Sequence, residues 1–454
     1  MRMLFSTKKA LRRILFGVVG VCATAQLVGQ SDSRPQRVVA LVGGTLIDGS
    51  GTQPIHDSVV IVRGDRIDKV GTVESLPVPA NAEILSTEGL TVMPGLWDLH
   101  VHLLYAGAGD LAAWHRAYTA RFEREIMPAT AEQMLMAGVT SVRDMGAPPD
   151  AIFAVKKRIA DGEIPGPTLY AAGPQMTHMP PDWAMFYRWG VAGSDDARRK
   201  ATQLLDRGAD LLKITDAPQM SVEEITAIVR EAHARGRIVA AHGRTNEEIR
   251  LGLEGGVDEF EHIGIGNTGA EYPPDLVAAF RARVASGRTL YWTPTVGLPL
   301  NADYLRDNRE QLDDPSAYRG LPPDIAGLVH AAVKQFRPQA QPATAAIIKR
   351  KIGQLRESGV ELIVGTDAGL AGNPHSQATW QELDVWVRDL GIDPMTAIVR
   401  ATSVPAKLLG VERDSGTIAE GKYADIIAVR GDPLRHIDVL RDPVVVIRHG
   451  KRYK

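Results

Sequence analysis

Between Thr91 and Val411, eight short apolar runs alternate with longer helical patterns: LWDLHVH, VTSVRDM, TLYAAG, DLLKI, RIVAAH, VDEFEH, TLYWTPT and VELIVGTD. Eight such alternations point to parallel strands joined by helices, and closure into a (β/α)8 TIM barrel is the economical arrangement. An open doubly wound sheet is the competing α/β architecture, but no GxGxxG follows the first run. The flanks have another texture. Residues 37–85 and the C-terminal stretches GTIAEGKYADIIAVRGDP and VVVIRHGKRY are β-rich pieces cut by glycine and aspartate, read as antiparallel strands with tight turns. The two ends are expected to build one small β-sandwich, from residues 33–90 and 412–454, around a barrel of residues 91–411.

At 454 residues, with 44% hydrophobic and 23% charged residues, the chain can fill one large domain and a smaller one. Its formal charge of -2, with no basic block beyond the N-terminus, argues against nucleic acid as a partner. Lys8, Lys9, Arg12 and Arg13 precede an apolar run from Ile14 to about Val28 that contains Ala23-Thr24-Ala25. That order is a secretory signal, expected to be cleaved near Ala25, so that no stable membrane partner remains and the protein is periplasmic or secreted. The Arg12-Arg13 pair leaves Sec and twin-arginine export both open. Cleavage would remove five cations, taking the formal charge from -2 to -7, and would remove Cys22, the single cysteine. No disulfide or thiolate chemistry is then expected.

Barrel sites form where the strands end. Reading those ends gives His100 and His102 on the first strand, Lys213 on the fourth, His242 on the fifth, His262 on the sixth and Asp367 on the eighth. Taken singly, such residues have ordinary roles: a terminal lysine reaches water, a histidine bonds locally, an aspartate caps a helix. Six at one end of one barrel make a divalent-metal site, with zinc favoured by nitrogen and oxygen ligands. An ammonium would repel a cation, so Lys213 belongs there only if carbon dioxide has converted its amine to a carbamate. Two divalent ions, the carbamate, Asp367 and a bridging hydroxide would leave one positive charge to polarise a carbonyl, with bound water acidified to a pKa near ~7.

These residues carry a family resemblance. PGLWDLHVHL resembles the first-strand HxH of the amidohydrolase superfamily, in its binuclear carboxylated-lysine subtype. DLLKI resembles the bridging lysine, AAHG and EHIG the later histidines, and IVGTDAG the eighth-strand aspartate. The resemblance extends through ATSVPAKLLG and AEGKYADIIAVRGDPL, where the chain returns to the β-domain. It implies that His100, His102 and Asp367 hold one metal, His242 and His262 the other, and carboxylated Lys213 both. It further implies that a metal-bridging hydroxide attacks the substrate while Asp367 takes its proton and returns it to the leaving nitrogen.

The arrangement is similar to the branch of imidazolonepropionase-like proteins and Xaa-Pro dipeptidases, which implies hydrolysis of an amide C–N bond in a dipeptide or N-acyl amino acid. A lactone or phosphotriester hydrolase on the same site is the alternative. A mononuclear deaminase would carry glutamate three residues beyond His242, where this chain has Thr245. A metal-free binding barrel would have lost ligands, and all six are present. His178, Arg244 and Tyr291 are the expected substrate contacts, Arg244 through a substrate carboxylate. His375 is expected as a solvated loop residue, and the long segments 175–192 and 297–344 exceed ordinary connections, as lids do, though surface insertion with no role is the commoner case for such a loop. The partner is a small molecule; a homo-oligomer is left open.

Overall fold

The computed structural model describes residues 37–107, 109–216, 219–263, 270–311, 313–337 and 342–454. The expected export signal and Cys22 lie outside the described residues. The chain begins with β1 (Val38–Leu46), β2 (Ile55–Arg63), β3 (Arg66–Thr72), β4 (Glu83–Ser86) and β5 (Leu90–Pro94). All eight runs expected as strands then appear in β6 (Leu96–Val101), β7 (Val139–Asp144), β8 (Thr168–Ala171), β9 (Gln175–Thr177), β10 (Arg188–Gly190), β11 (Leu211–Ile214), β12 (Ile238–His242), β13 (Glu259–Glu261), β14 (Tyr291–Thr293) and β15 (Glu361–Leu362). The extra pair, β9 and β10, comes from the long segment after the third run. The chain closes with β16 (Ile426–Arg430), β17 (Val445–Arg448) and β18 (Lys451–Arg452).

Both ends enter one eight-stranded sheet of order β18-β17-β16-β5-β1-β2-β3, with β4 also on β1. It is mixed rather than antiparallel: β4 and β5 run parallel to β1, because the chain crosses over between them instead of turning back. The hairpins have the turns their sequences demand. Between β17 and β18, His449 and Gly450 both take positive φ, 46° and 70°, as a two-residue hairpin turn of the primed type requires. Val60, Val92, Ile426 and Ile447 pack on one face of the sheet; Val38, Ala40, Val59 and Ile61 pack on the other. The sheet runs through Pro94, so β5, which the sequence reading divides between two domains, belongs with the chain ends.

The central strands are parallel throughout, in two sheets of order β6-β7-β8 and β10-β9-β11-β12-β13-β14-β15. This is an α/β fold built on parallel sheets. The Leu99 N–H donates to the Val364 carbonyl at 3.0 Å and the His102 N–H to the Ala368 carbonyl at 3.0 Å, so the chain after β15 lies along β6. The Asp210 N–H donates to the Ala171 carbonyl at 3.0 Å, joining the end of β8 to the approach to β11. Helices follow the strands with recognisable starts. Ser221 and Glu224 form a capping box on Val222–Ala234, as do Thr245 and Glu248 on Asn246–Gly255. Proline opens Pro149–Ala160 and Pro274–Ala285, where its missing N–H costs nothing.

Candidate metal centre

All six expected ligands stand at the C-terminal ends of parallel strands. β6 does not simply alternate: its pairing with β7 shifts register between Asp98 and Val101. Such a bulge re-aims side chains, and the His100 and His102 rings lie 5.4 Å apart. Possible ligand atoms of His100, His262 and Asp367 lie within 4.8 Å of one another. His102 Nε2 is 3.4 Å from Asp367 Oδ1, and the His242 ring is 4.8 Å from that of His262. His262 and Asp367 hold left-handed backbone conformations, φ 69° and 59°, that non-glycine residues adopt only when the surroundings impose them.

Several of these donors are buried without a hydrogen bond. His100 Nε2, His242 Nδ1, His262 Nε2 and Lys213 Nζ are buried and have no hydrogen-bond partner. Orphaned groups of this kind are costly unless something else satisfies them. Burial pushes His100, His242 and His262 well below the usual imidazole range, so each is neutral with a free lone pair. Burial also pushes Lys213 down to about 8, with the neighbouring Glu261 and Arg143 acting in opposite directions. Burial alone would raise Asp367, but the ring nitrogens of His102, His100 and His262 gathered around it outweigh burial and hold its carboxylate well below the usual range. Three neutral imidazoles around one carboxylate fit a divalent cation.

Supporting residues hold the histidine rings. The His100 Nδ1–H donates to Glu261 Oε2 at 2.5 Å and His102 Nδ1–H to the Gly146 carbonyl at 3.3 Å, while His262 Nδ1 is hydrogen bonded to the Thr295 hydroxyl at 2.8 Å. Each of the first two bonds leaves the Nε2 lone pair for a metal. Arg143, wholly buried, bridges Glu259 at 2.5 and 2.7 Å and Glu261 at 2.8 Å. Asp98 accepts from the Thr366 and Thr379 hydroxyls, both at 2.8 Å, and burial raises its pKa to about 7. The signal for Arg143, Glu259 and Glu261 is present in VTSVRDM and VDEFEH, where charges interrupt strands otherwise made for burial.

The expected substrate contacts fare differently. Arg244 lines a cavity of about 270 Å³ together with His262, Thr295, Leu298, Pro299, Thr366, Asp367, Leu370 and Asn373. His178 follows β9, partly exposed, with Nδ1 3.8 Å from Glu224 Oε1, and does not line that cavity. Tyr291 is a correction. It pairs with Glu259, two residues before the level of Glu261 and Thr293, hence about 7 Å further down the sheet. There it packs with Trp97, Leu99 and Ile363 instead of reaching the ligands. His375 is a second correction: it is 1% exposed and hydrogen bonded to the His102 backbone. The loop after Asp367 folds inward, tied by the Asn373 side chain to the Thr366 carbonyl at 2.8 Å.

Residues 91–452 match the amidohydrolase family, and the chain belongs to it. It is 25% identical to the ochratoxinase of Aspergillus niger over 92% of this chain and 87% of that one. It is also 25% identical to an imidazolonepropionase of Idiomarina loihiensis, over 86% of this chain and 90% of the other. Among solved structures, a Xaa-Pro dipeptidase with methionine bound in its active site superposes with a TM-score of 0.69 at 25% identity, covering 92% of this chain and 100% of that one. The protein is a hydrolase acting on carbon–nitrogen bonds.

Proposed function

We propose that this enzyme cleaves the amide C–N bond of a small N-acyl amino acid or dipeptide, on a binuclear divalent-metal centre at the mouth of a closed (β/α)8 barrel. Closure is supported by the hydrogen bonds from Leu99 and His102 to the chain after β15 and from Asp210 to Ala171. The shared sheet of the two chain ends serves as the second, sandwich-like domain. The observation that carries the reading is the convergence of unpartnered His100, His242, His262 and Lys213 nitrogens around ionised Asp367.

His100, His102 and Asp367 would hold one ion, His242 and His262 the other, and Lys213 both once its amine has taken up carbon dioxide. Burial favours that uptake, because a depressed pKa enlarges the neutral amine fraction. When bound, the ions acidify water and polarise a carbonyl, with zinc favoured by the donor set. Asp367, 19% exposed at its side chain, faces both the histidines and the cavity. It takes the proton released during attack and delivers it to the leaving nitrogen. Arg244, exposed and without an ion pair among the described residues, is placed to take a substrate carboxylate through its paired N–H groups. Leu298, Pro299 and Leu370 offer an apolar wall to the remainder of the substrate. Thr245 caps a helix and Glu248 folds back onto it, so neither supplies the acid a deaminase would need beyond His242.

The deciding experiment is a turnover screen of Xaa-Pro, Xaa-Arg and Xaa-aromatic dipeptides and N-acyl amino acids beside lactones and a phosphotriester, on zinc-loaded protein. Amide turnover that falls about tenfold or more in Arg244→Met through KM is expected. Lactone or phosphotriester turnover with no amide cleaved would replace the proposed bond. Residues 1–25 are proposed as the export signal, which N-terminal sequencing of exported protein would test.

A further inference from the structure

We propose that Glu382 is a positioning and specificity-determining residue: its carboxylate grips the turn after β14, and that turn fixes both the orientation of His262 and the apolar wall of the cavity. Glu382 stands on the helix Ala378–Arg388 and is wholly buried. One oxygen accepts the Val296 N–H at 3.0 Å and the Trp386 indole N–H at 2.9 Å, while the other accepts the Gly297 N–H. The approach is close enough to dictate the sequence. A Cβ on Gly297 would lie 2.7 Å from the second oxygen.

Two features show that the grip reaches the site. Thr295, immediately before the two gripped amides, has φ 50°, a left-handed conformation costly for a β-branched residue and therefore imposed by its surroundings. In that conformation its hydroxyl lies 2.8 Å from His262 Nδ1 and holds the ring through that nitrogen, while Nε2 has no hydrogen-bond partner. The same turn continues into Leu298 and Pro299, which line the cavity beside Asp367 and Arg244. Glu382 lines neither the cavity nor the ligand set, so its effect passes through the backbone of the turn.

Glutamine at this position keeps the size but presents one acceptor and one donor to two N–H donors, so one of the two amides must let go. The specificity half rests on the proposed hydrolysis; the His262 half does not, and the experiment separates them. Zinc affinity would be measured by chelator competition on folded Glu382→Gln, Thr295→Val and Trp386→Phe. Kinetics would follow on an N-acetyl amino acid and on its bulky-acyl analogue. Glu382→Gln and Thr295→Val should each weaken zinc binding about tenfold, and Trp386→Phe, which leaves both turn amides held, should leave it unchanged. Glu382→Gln should also raise KM more for the bulky substrate than for the N-acetyl one. Wild-type zinc affinity in folded Glu382→Gln would overturn the proposal. Were that variant unable to fold, Thr295→Val would decide, with unchanged affinity overturning it. An equal change of KM on both substrates would remove the specificity half. Wild-type protein that binds zinc but cleaves no amide would count against the hydrolytic reading alone.

Discussion

Lys213 is wholly buried; burial and the nearby Arg143 disfavour its ammonium, Glu261 and Glu259 favour it, and His100, His242 and His262 stand close by. Burial enlarges the fraction of uncharged amine, and an amine that takes up carbon dioxide becomes an anion able to serve two cations. Lys213→Ala should therefore cost more than the 10- to 100-fold typical of an outer supporting residue, so roughly 100-fold or more in activity, with bound zinc falling below one per chain. Acetate or propionate should restore part of both by occupying the vacated space. Metal analysis and rates with and without the acid check this, and full activity without rescue would refute the carboxylated bridge. The proposed ligands stand out in the sequence because each closes an apolar run. Glu261 and Arg143 were equally visible as buried charges but had no reading until the structure placed one against His100 and the other between two glutamates. Tyr291 shows the opposite limit: position at the end of a run does not say at which level of a three-residue strand a side chain stands.

Strands and helices followed from apolar runs and caps; the loops that finish the site did not. No local pattern announces that the turn after β14 is held by a glutamate on a helix roughly 85 residues later, or that His375 folds inward. One close approach between elements at the site is made by a residue with no side chain. Gly365 lies between β14 and β6, where a Cβ would meet the Thr293 side chain and stand 2.8 Å from the His100 backbone nitrogen. Gly365→Ala should thus force β15 away from β6 and displace His100 relative to Asp367. The expected cost is about 1–3 kcal/mol of stability, as for overpacking elsewhere in cores, with at least tenfold weaker zinc binding. Urea denaturation and chelator competition measure the two effects. A variant with wild-type values of both would show that the strands part at no cost to the site.

At the scale of the whole molecule, the centre is fed by distant parts of the chain. β5 pairs with β16 along Leu90–Pro94, the Gly95 N–H donates to the Asp425 carbonyl at 3.0 Å, and β6 with its histidines begins one residue later. The ligands themselves run from His100 to Asp367, so one bound centre ties together segments that the unfolded chain separates. Because unfolding scatters these ligands, bound metal must stabilise the folded state by RT ln(1 + [L]/Kd), about 4 kcal/mol at a thousandfold excess over Kd. The buried, unpartnered nitrogens sharpen the expectation, since removing the ions leaves them with neither metal nor hydrogen bond. Chelation should therefore lower Tm by several degrees, and zinc should restore it in proportion to the logarithm of its free concentration. Lys213→Ala should show a much smaller shift. Calorimetry of wild type and variant across a zinc series checks this. An unchanged wild-type Tm on complete chelation would mean that the clustered donors are satisfied without metal, and would remove the basis for a metal centre here.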